Sequence, residues 1–148
     1  MYIGIDPGKT GALAVVNEKG LFVCVIDYEP HEVLEWLYEN LNNINYGYLE
    51  SVHSMPRQGV VSTFNFGENF GWWKGVLLSL EIKHELVPPR VWMKKYFLKK
   101  ESAYDKPGLE LARKMFPEAP LSLKKHHNRA DALLLAYQCW EEHNGVFL

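Results

Sequence analysis

Hydrophobic and polar positions along this chain change period several times, and each change marks an element. Tyr2–Asp6 is a short apolar run ending in a carboxylate, Ala12–Val16 is rich in small and β-branched residues, and Leu21–Ile26 is a third run of the same kind. The segments between them, Pro7-Gly8-Lys9-Thr10-Gly11 and Asn17-Glu18-Lys19-Gly20, carry turn residues. Three strands joined by tight turns predict an antiparallel meander. From Pro30 the period becomes helical: Val33, Leu34, Leu37 and Leu41 fall on one face, and proline suits the first turn. Tyr46–Val52 returns to strand character and carries Glu50 inside an apolar stretch.

The second half alternates less cleanly. Residues 54–69 read as a loop, followed by a helix over Phe70–Leu80 in which Gly71 and Gly75 suggest close packing. His84–Val87 predicts a fifth strand, stopped by Pro88-Pro89. A short helix over Pro89–Phe97 follows, then one capped near Asp105 and ending before Pro117, then a last helix from Arg129 to about Glu142. The last helix is apolar around much of its circumference, which predicts burial. The order βββαβ, then αβααα, implies an α/β fold built on one five-stranded mixed sheet with helices on both faces. A Rossmann unit would alternate strand and helix from the start. A length of 148 residues predicts a single domain.

Charge changes the picture. The net charge of −2 hides an acidic first half and a basic later stretch. Residues 1–82 hold four Lys/Arg against ten Asp/Glu, whereas residues 83–129 hold twelve against five. A basic face collects phosphates, and acidic groups elsewhere can hold a metal. No apolar run approaches the ~18 residues of a membrane span, and no leader pattern opens the chain, so a cytoplasmic location and no membrane partner are expected. Cys24 and Cys139 form no metal or redox spacing and read as reduced, mostly buried thiols.

Three acids stand out by position. Asp6 ends the first strand, Glu50 interrupts the apolar fourth strand, and Asp131 opens the last helix. A charge in a central strand is costly unless paired or bound to a metal. If the first and fourth strands are neighbours, Asp6 and Glu50 meet at one end of the sheet. Clustered carboxylates repel unless a cation lies between them. Mg²⁺ suits such a site, since it takes oxygen ligands and keeps waters. Two such ions about 4 Å apart can activate a water and stabilise a leaving oxygen of a phosphodiester. Asp6 before Pro7-Gly8 also suits a turn, Glu50 could reach solvent from a strand edge, and Asn128 followed by Asp131 has the spacing of a helix cap.

The blocks Gly4-Ile5-Asp6-Pro7-Gly8-Lys9-Thr10-Gly11, Leu49-Glu50 with His53-Ser54-Met55-Pro56-Arg57-Gln58-Gly59, and Phe64-Asn65-Phe66-Gly67 running into Gly71-Trp72-Trp73-Lys74-Gly75 stand in order along the chain. Val87-Pro88-Pro89-Arg90-Val91-Trp92 and Arg129-Ala130-Asp131-Ala132-Leu133-Leu134 complete the set. Together they resemble the RuvC-type Holliday junction resolvases, in particular their bacteriophage-like branch. The resemblance implies a ribonuclease H-like fold, a homodimer, and Mg²⁺- or Mn²⁺-dependent cutting of four-way DNA junctions as paired symmetric nicks. It implies no small-molecule cofactor. Asp6, Glu50 and Asp131 would be metal ligands. The fourth ligand, close before the last acid, would be His127 or Asn128, with His127 preferred because Asn128 suits the helix cap. On this reading the catalytic set is Asp6, Glu50, His127 and Asp131.

Lys9, Arg57, Lys74, Lys124, Lys125 and Arg129 lie beside the acidic motifs in sequence and are the expected DNA contacts. Phe64, Phe66, Trp72 and Trp73 are expected mostly in the core or a dimer interface, with Phe64 or Phe66 able to wedge into an opened junction. Two other readings remain. One is a non-cleaving module of the same fold that holds branched DNA. The other is a fragment of an actin-like ATPase, whose phosphate loop Asp6–Gly11 also resembles; such proteins need a second lobe that this length does not supply.

Overall fold

The computed structural model describes residues 1–53, 59–96 and 106–146. Three strands run antiparallel in sequence order: β1 (Tyr2–Asp6), β2 (Ala12–Val16) and β3 (Phe22–Asp27). Strand β4 (Tyr46–Glu50) lies parallel to β1 on its other side, and β5 (His84–Val87) lies parallel to β4. The sheet order is therefore β3-β2-β1-β4-β5, the mixed five-stranded sheet expected.

The strands are short and almost wholly apolar, so the sheet is covered on both faces. Ile3, Ile5, Leu13, Val15 and Leu49 face one layer, made by α1 (Pro30–Asn40) and α2 (Val60–Ser79). Tyr2, Ala12, Ala14 and Tyr48 face the other, made by α3 (Pro89–Lys95), α4 (Pro107–Met115) and α5 (His127–His143). Helix α5 is the central piece of that layer. Ala130, Leu133, Leu134, Ala136 and Cys139 are all fully enclosed, as its sequence predicts. It presses directly on β1, since a Cβ at Gly4 would stand 2.1 Å from the Ala132 carbonyl oxygen. Only glycine permits that approach.

Several expectations change. Residues 60–69, read as loop, form the first half of α2. The helix opens on Gly59 with no side-chain cap, so its start carries no sequence signal of the usual kind. Phe64 stands exposed on this helix rather than in a loop, and Trp73 is fully buried in the core. Gly71 and Gly75 do not pack closely: a Cβ at either would meet nothing within 4 Å. Helix α4 is capped at Lys106, and Asp105 lies outside the described residues. Helix α5 begins at His127, after a single 3₁₀ turn over Lys124–His126, and its cap is His126. Asn128 is therefore inside the first turn and is not the cap. The two cysteines are free thiols; Cys139 is buried and Cys24 half-buried. Among the described residues no helix is long and apolar enough to cross a membrane.

Candidate metal centre and nucleic-acid interface

The parallel pairing of β1 and β4 runs from Tyr2 opposite Tyr46 to Ile5 opposite Leu49. One step further along that register stand Asp6 and Glu50, at the carboxyl ends of the two strands. Alternation along a strand puts Asp6 on the face of Tyr2 and Gly4, and Glu50 on the face of Tyr48. Both therefore lie on the α5 side of the sheet. Asp131, expected in the first turn, enters from the second turn of α5 because the helix starts earlier, at His127; the Gly4 contact with Ala132 holds this part of the helix against β1. Three carboxylates on separate elements are thus directed to one end of the sheet.

Each is held differently. Asp6 is 8% exposed, and its Oδ1 accepts the Gly8 amide N–H at 3.0 Å. Burial pushes the Asp6 carboxyl above its usual range, and the Gly8 bond opposes part of that shift. Glu50 is half-buried, and its Oε1 accepts the indole N–H of Trp92 at 2.9 Å. Asp131 lies against α4: a Cβ at Gly108 would come within 2.5 Å of its Oδ1, so glycine lets that helix backbone reach the carboxylate. Glu50, Trp92, Lys106, Gly108, His127 and Asp131 line a common cavity of about 270 Å³, with Asn128 in its wall. Asp6 is not part of that lining. Among the described residues, no three His, Cys, Asp or Glu side chains stand close enough to hold an ion as placed.

The donor set still has the chemistry of a hard divalent cation. It offers carboxylate oxygens from three elements, with an imidazole and an amide on the same wall. A buried Asp6 whose charge is disfavoured by desolvation is the kind of group a cation would compensate. His127 and Asn128 both line the cavity. The Asn128 side-chain N–H₂ donates to the Thr10 carbonyl and hydroxyl oxygens, each at 2.6 Å. That bond ties α5 to the β1–β2 turn and replaces the capping role expected of Asn128. With His126 as the cap, Asn128 is not reserved for that role, and His127 has no preference over it as fourth ligand.

His127 and Asn128 also wall a second cavity, which Lys9, Thr10, Asp27, Lys125, His126 and Arg129 complete. Lys9 and Lys125 are exposed there. Arg129 is not free in the same sense. Its Nε and Nη2 donate to the two oxygens of Asp27 at 2.6 and 2.5 Å, and Nη1 donates to the Pro120 carbonyl at 3.0 Å. The pair holds the Asp27 carboxyl below its usual range. His126 accepts the Leu123 amide N–H through Nδ1. Desolvation, with Arg129 and Lys125 nearby, lowers its pKa below the usual imidazole range.

In a structural comparison, RuvC from Thermus thermophilus superposes with a TM-score of 0.63 over 97% of this chain and 96% of that one, at 18% identity. T. thermophilus RuvC in complex with Holliday junction substrate gives 0.61 over 97% and 95%, at 17% identity. The chain has the RuvC fold. In sequence it is 34% identical over 93 residues to the chloroplastic Holliday junction resolvase MOC1 of Chlamydomonas reinhardtii. That match covers 62% of this chain and spans 10% of the relative's length. No family model matches.

On this RuvC-like frame the predicted residues separate into groups. Glu50, His127, Asn128 and Asp131 share one cavity, with Asp6 at the neighbouring strand end. Lys9, Lys125 and Arg129 share the second, and Lys124 belongs to the same 3₁₀ turn as Lys125. Lys74 is elsewhere, on α2 with its ammonium 5.5 Å from the Phe70 ring centre. Arg57 lies outside the described residues. Trp92, Lys106 and Gly108 line the acidic cavity without having been singled out. Lys106 counted only as one basic residue among many, and Trp92 only as part of a motif.

Proposed function

We propose that this chain is a metal-dependent endonuclease that resolves four-way DNA junctions. The observation that carries the reading is the pairing of Asp6 and Glu50 at adjacent parallel strand ends, with Asp131 delivered from α5. Asp6, Glu50 and Asp131, with His127 or Asn128, would hold Mg²⁺ or Mn²⁺. Such ions, when bound, supply the Lewis acidity that phosphodiester hydrolysis needs. Lys9 and Lys125, one wall away, would bind the flanking phosphates and set the strand across the carboxylates. Lys106, inside the acidic cavity, would face the scissile phosphate itself.

A four-way junction has approximate two-fold symmetry, which a C2 dimer matches with two sites. Helix α2 is the surface we assign to the homodimer. Val60, Val61, Phe64 and Leu78 are exposed on it, and Gly67, Gly71 and Gly75 recur every fourth residue with open space above them. Such a glycine row lets a second helix approach closely.

The test is cleavage of a labelled synthetic four-way junction with Mg²⁺ or Mn²⁺, beside a matched linear duplex and Asp6→Asn. Paired nicks in the junction, a spared duplex and loss of nicking in Asp6→Asn are expected. Tight junction binding without nicks under either metal would overturn the nuclease in favour of a non-cleaving module of the same fold.

A further inference from the structure

Trp92 is 2% exposed, and its indole carries one donor and no acceptor. A buried indole N–H needs a partner, and here the partner is Glu50 Oε1 at 2.9 Å. The choice of partner matters for Glu50. A cationic donor at that place would neutralise the carboxylate and compete with a metal. A neutral N–H engages one oxygen and sets the plane of the group while leaving its charge.

Trp92 is itself held. Helix α3 is seven residues long and is entered through Pro88-Pro89, which restricts its start. One turn after Trp92, Lys95 Nζ lies 2.9 Å from Glu141 Oε2, and the Tyr96 hydroxyl donates to the same oxygen at 3.1 Å. Tyr96 also lies 3.3 Å from the Leu134 carbonyl oxygen. Glu141 is fully buried on α5. A closed path results. Helix α5 fixes α3 through Glu141, α3 fixes Glu50 through Trp92, and α5 also carries Asp131. Two of the three acids therefore take their positions from one helix.

We propose that Trp92 is a positioning residue for the candidate metal centre, orienting the Glu50 carboxylate toward the ion through its indole N–H, with the Lys95–Glu141 contact holding Trp92 in place. This rests on the reading of Glu50 as a metal ligand. A tryptophan serving only as core would fill the same volume, so the test must read the ion and not the fold.

The experiment is Mn²⁺ titration of the full chain, with free Mn²⁺ followed by electron paramagnetic resonance, in wild type, Glu50→Gln, Trp92→Phe and the double variant. Thermal unfolding is recorded for each. Trp92→Phe is expected to weaken Mn²⁺ binding by about 10- to 100-fold, the usual effect of removing a group that orients a ligand. The double variant is expected to bind no more weakly than Glu50→Gln alone, because Trp92 acts through Glu50. If Glu50→Gln weakens binding while Trp92→Phe matches wild type, the positioning role is wrong and the metal site stands. If wild type binds no Mn²⁺, or Glu50→Gln matches it, the metal site is wrong and the positioning role goes with it.

A second measurement covers the case in which Trp92→Phe does not fold. In the wild-type protein the indole N–H signal of Trp92 is followed by nuclear magnetic resonance during Mg²⁺ addition. It is expected to move while those of Trp36, Trp72, Trp73 and Trp140 stay in place. A stationary Trp92 signal under saturating Mg²⁺ overturns the proposal.

Discussion

The two cavities on either side of His127 and Asn128 are built by opposite means. The acidic one is formed at a strand end and along helices, with Glu50 pinned by the Trp92 indole and Asp131 set against the Gly108 backbone. The basic one is formed by a turn and a 3₁₀ segment, with Lys9 and Lys125 exposed and able to move. The difference follows from what each must do. Holding a cation at a scissile bond requires placement to a fraction of an ångström, which rigid elements supply. Attracting a polyanion requires charge, which acts over a Debye length and tolerates loose side chains.

The largest effect should come from separating the two. Glu50→Gln should lower junction cleavage by about 10³-fold or more while leaving junction affinity intact, because it removes a group used in the chemistry alone. Lys9→Ala combined with Lys125→Ala should do the reverse. The slope of log affinity against log salt should flatten by about 2, and cleavage at saturating junction should stay within a few fold of wild type. Fluorescence anisotropy at four salt concentrations and single-turnover cleavage read both. A double lysine variant that binds normally but cuts poorly would merge the two cavities into one function.

A smaller effect tests the cost of the acidic side. Burial raises the Asp6 pKa above its ordinary 3.8, so the folded chain holds that proton more tightly than the unfolded chain. The folded state then pays no penalty below pH 3.8, and an increasing one as pH rises through the folded value. Asp6→Asn can keep the Gly8 bond through its carbonyl oxygen and lacks the charge. In metal-free buffer at pH 7 to 8 it should melt a few degrees above wild type, at about 2–4 °C per kcal/mol. The advantage should shrink as pH falls toward 3.8 and also on adding Mg²⁺, which stabilises only the wild type. An unchanged melting point at pH 8 would mean that Asp6 is already compensated by the protein.

How far the sequence anticipates these two regions depends on the reach of the interactions. Asp6 and Glu50 are visible because a carboxylate in an apolar strand is anomalous on local grounds. Helix α5 is visible because its apolar residues surround it. What fails is whatever depends on distant partners. Asn128 looks like a cap from its neighbours, yet its amide is bound to Thr10, 118 positions away. Arg129 looks like a free cation beside Lys124 and Lys125, yet Asp27, 102 positions away, takes its guanidinium. The first half of α2 is hidden for another reason. Gly59 offers no cap, Gly67 weakens the helical signal, and Val60, Val61 and Phe64 stand exposed, so no buried stripe marks a helical period there.

The Arg129–Asp27 pair gives the smallest and most direct test of the contrast, because it sits in the basic cavity but is built like the acidic one. Its geometry is bidentate, and Asp27 is 59% exposed, so solvent screens it and its worth to stability is at most about 1 kcal/mol. Asp27→Ala should therefore cost little in melting temperature. It should also release a guanidinium into the cavity of Lys9 and Lys125. Junction affinity would then rise two- to threefold in low salt, and the salt slope would steepen by about 0.9, the increment for one added phosphate contact. Arg129→Ala in the same assay should leave the slope of the wild type unchanged, since the paired guanidinium contributes no phosphate contact there. A flatter slope in Arg129→Ala would show that junction DNA already draws Arg129 away from Asp27, and that Asp27 acts as its competitor rather than its clamp.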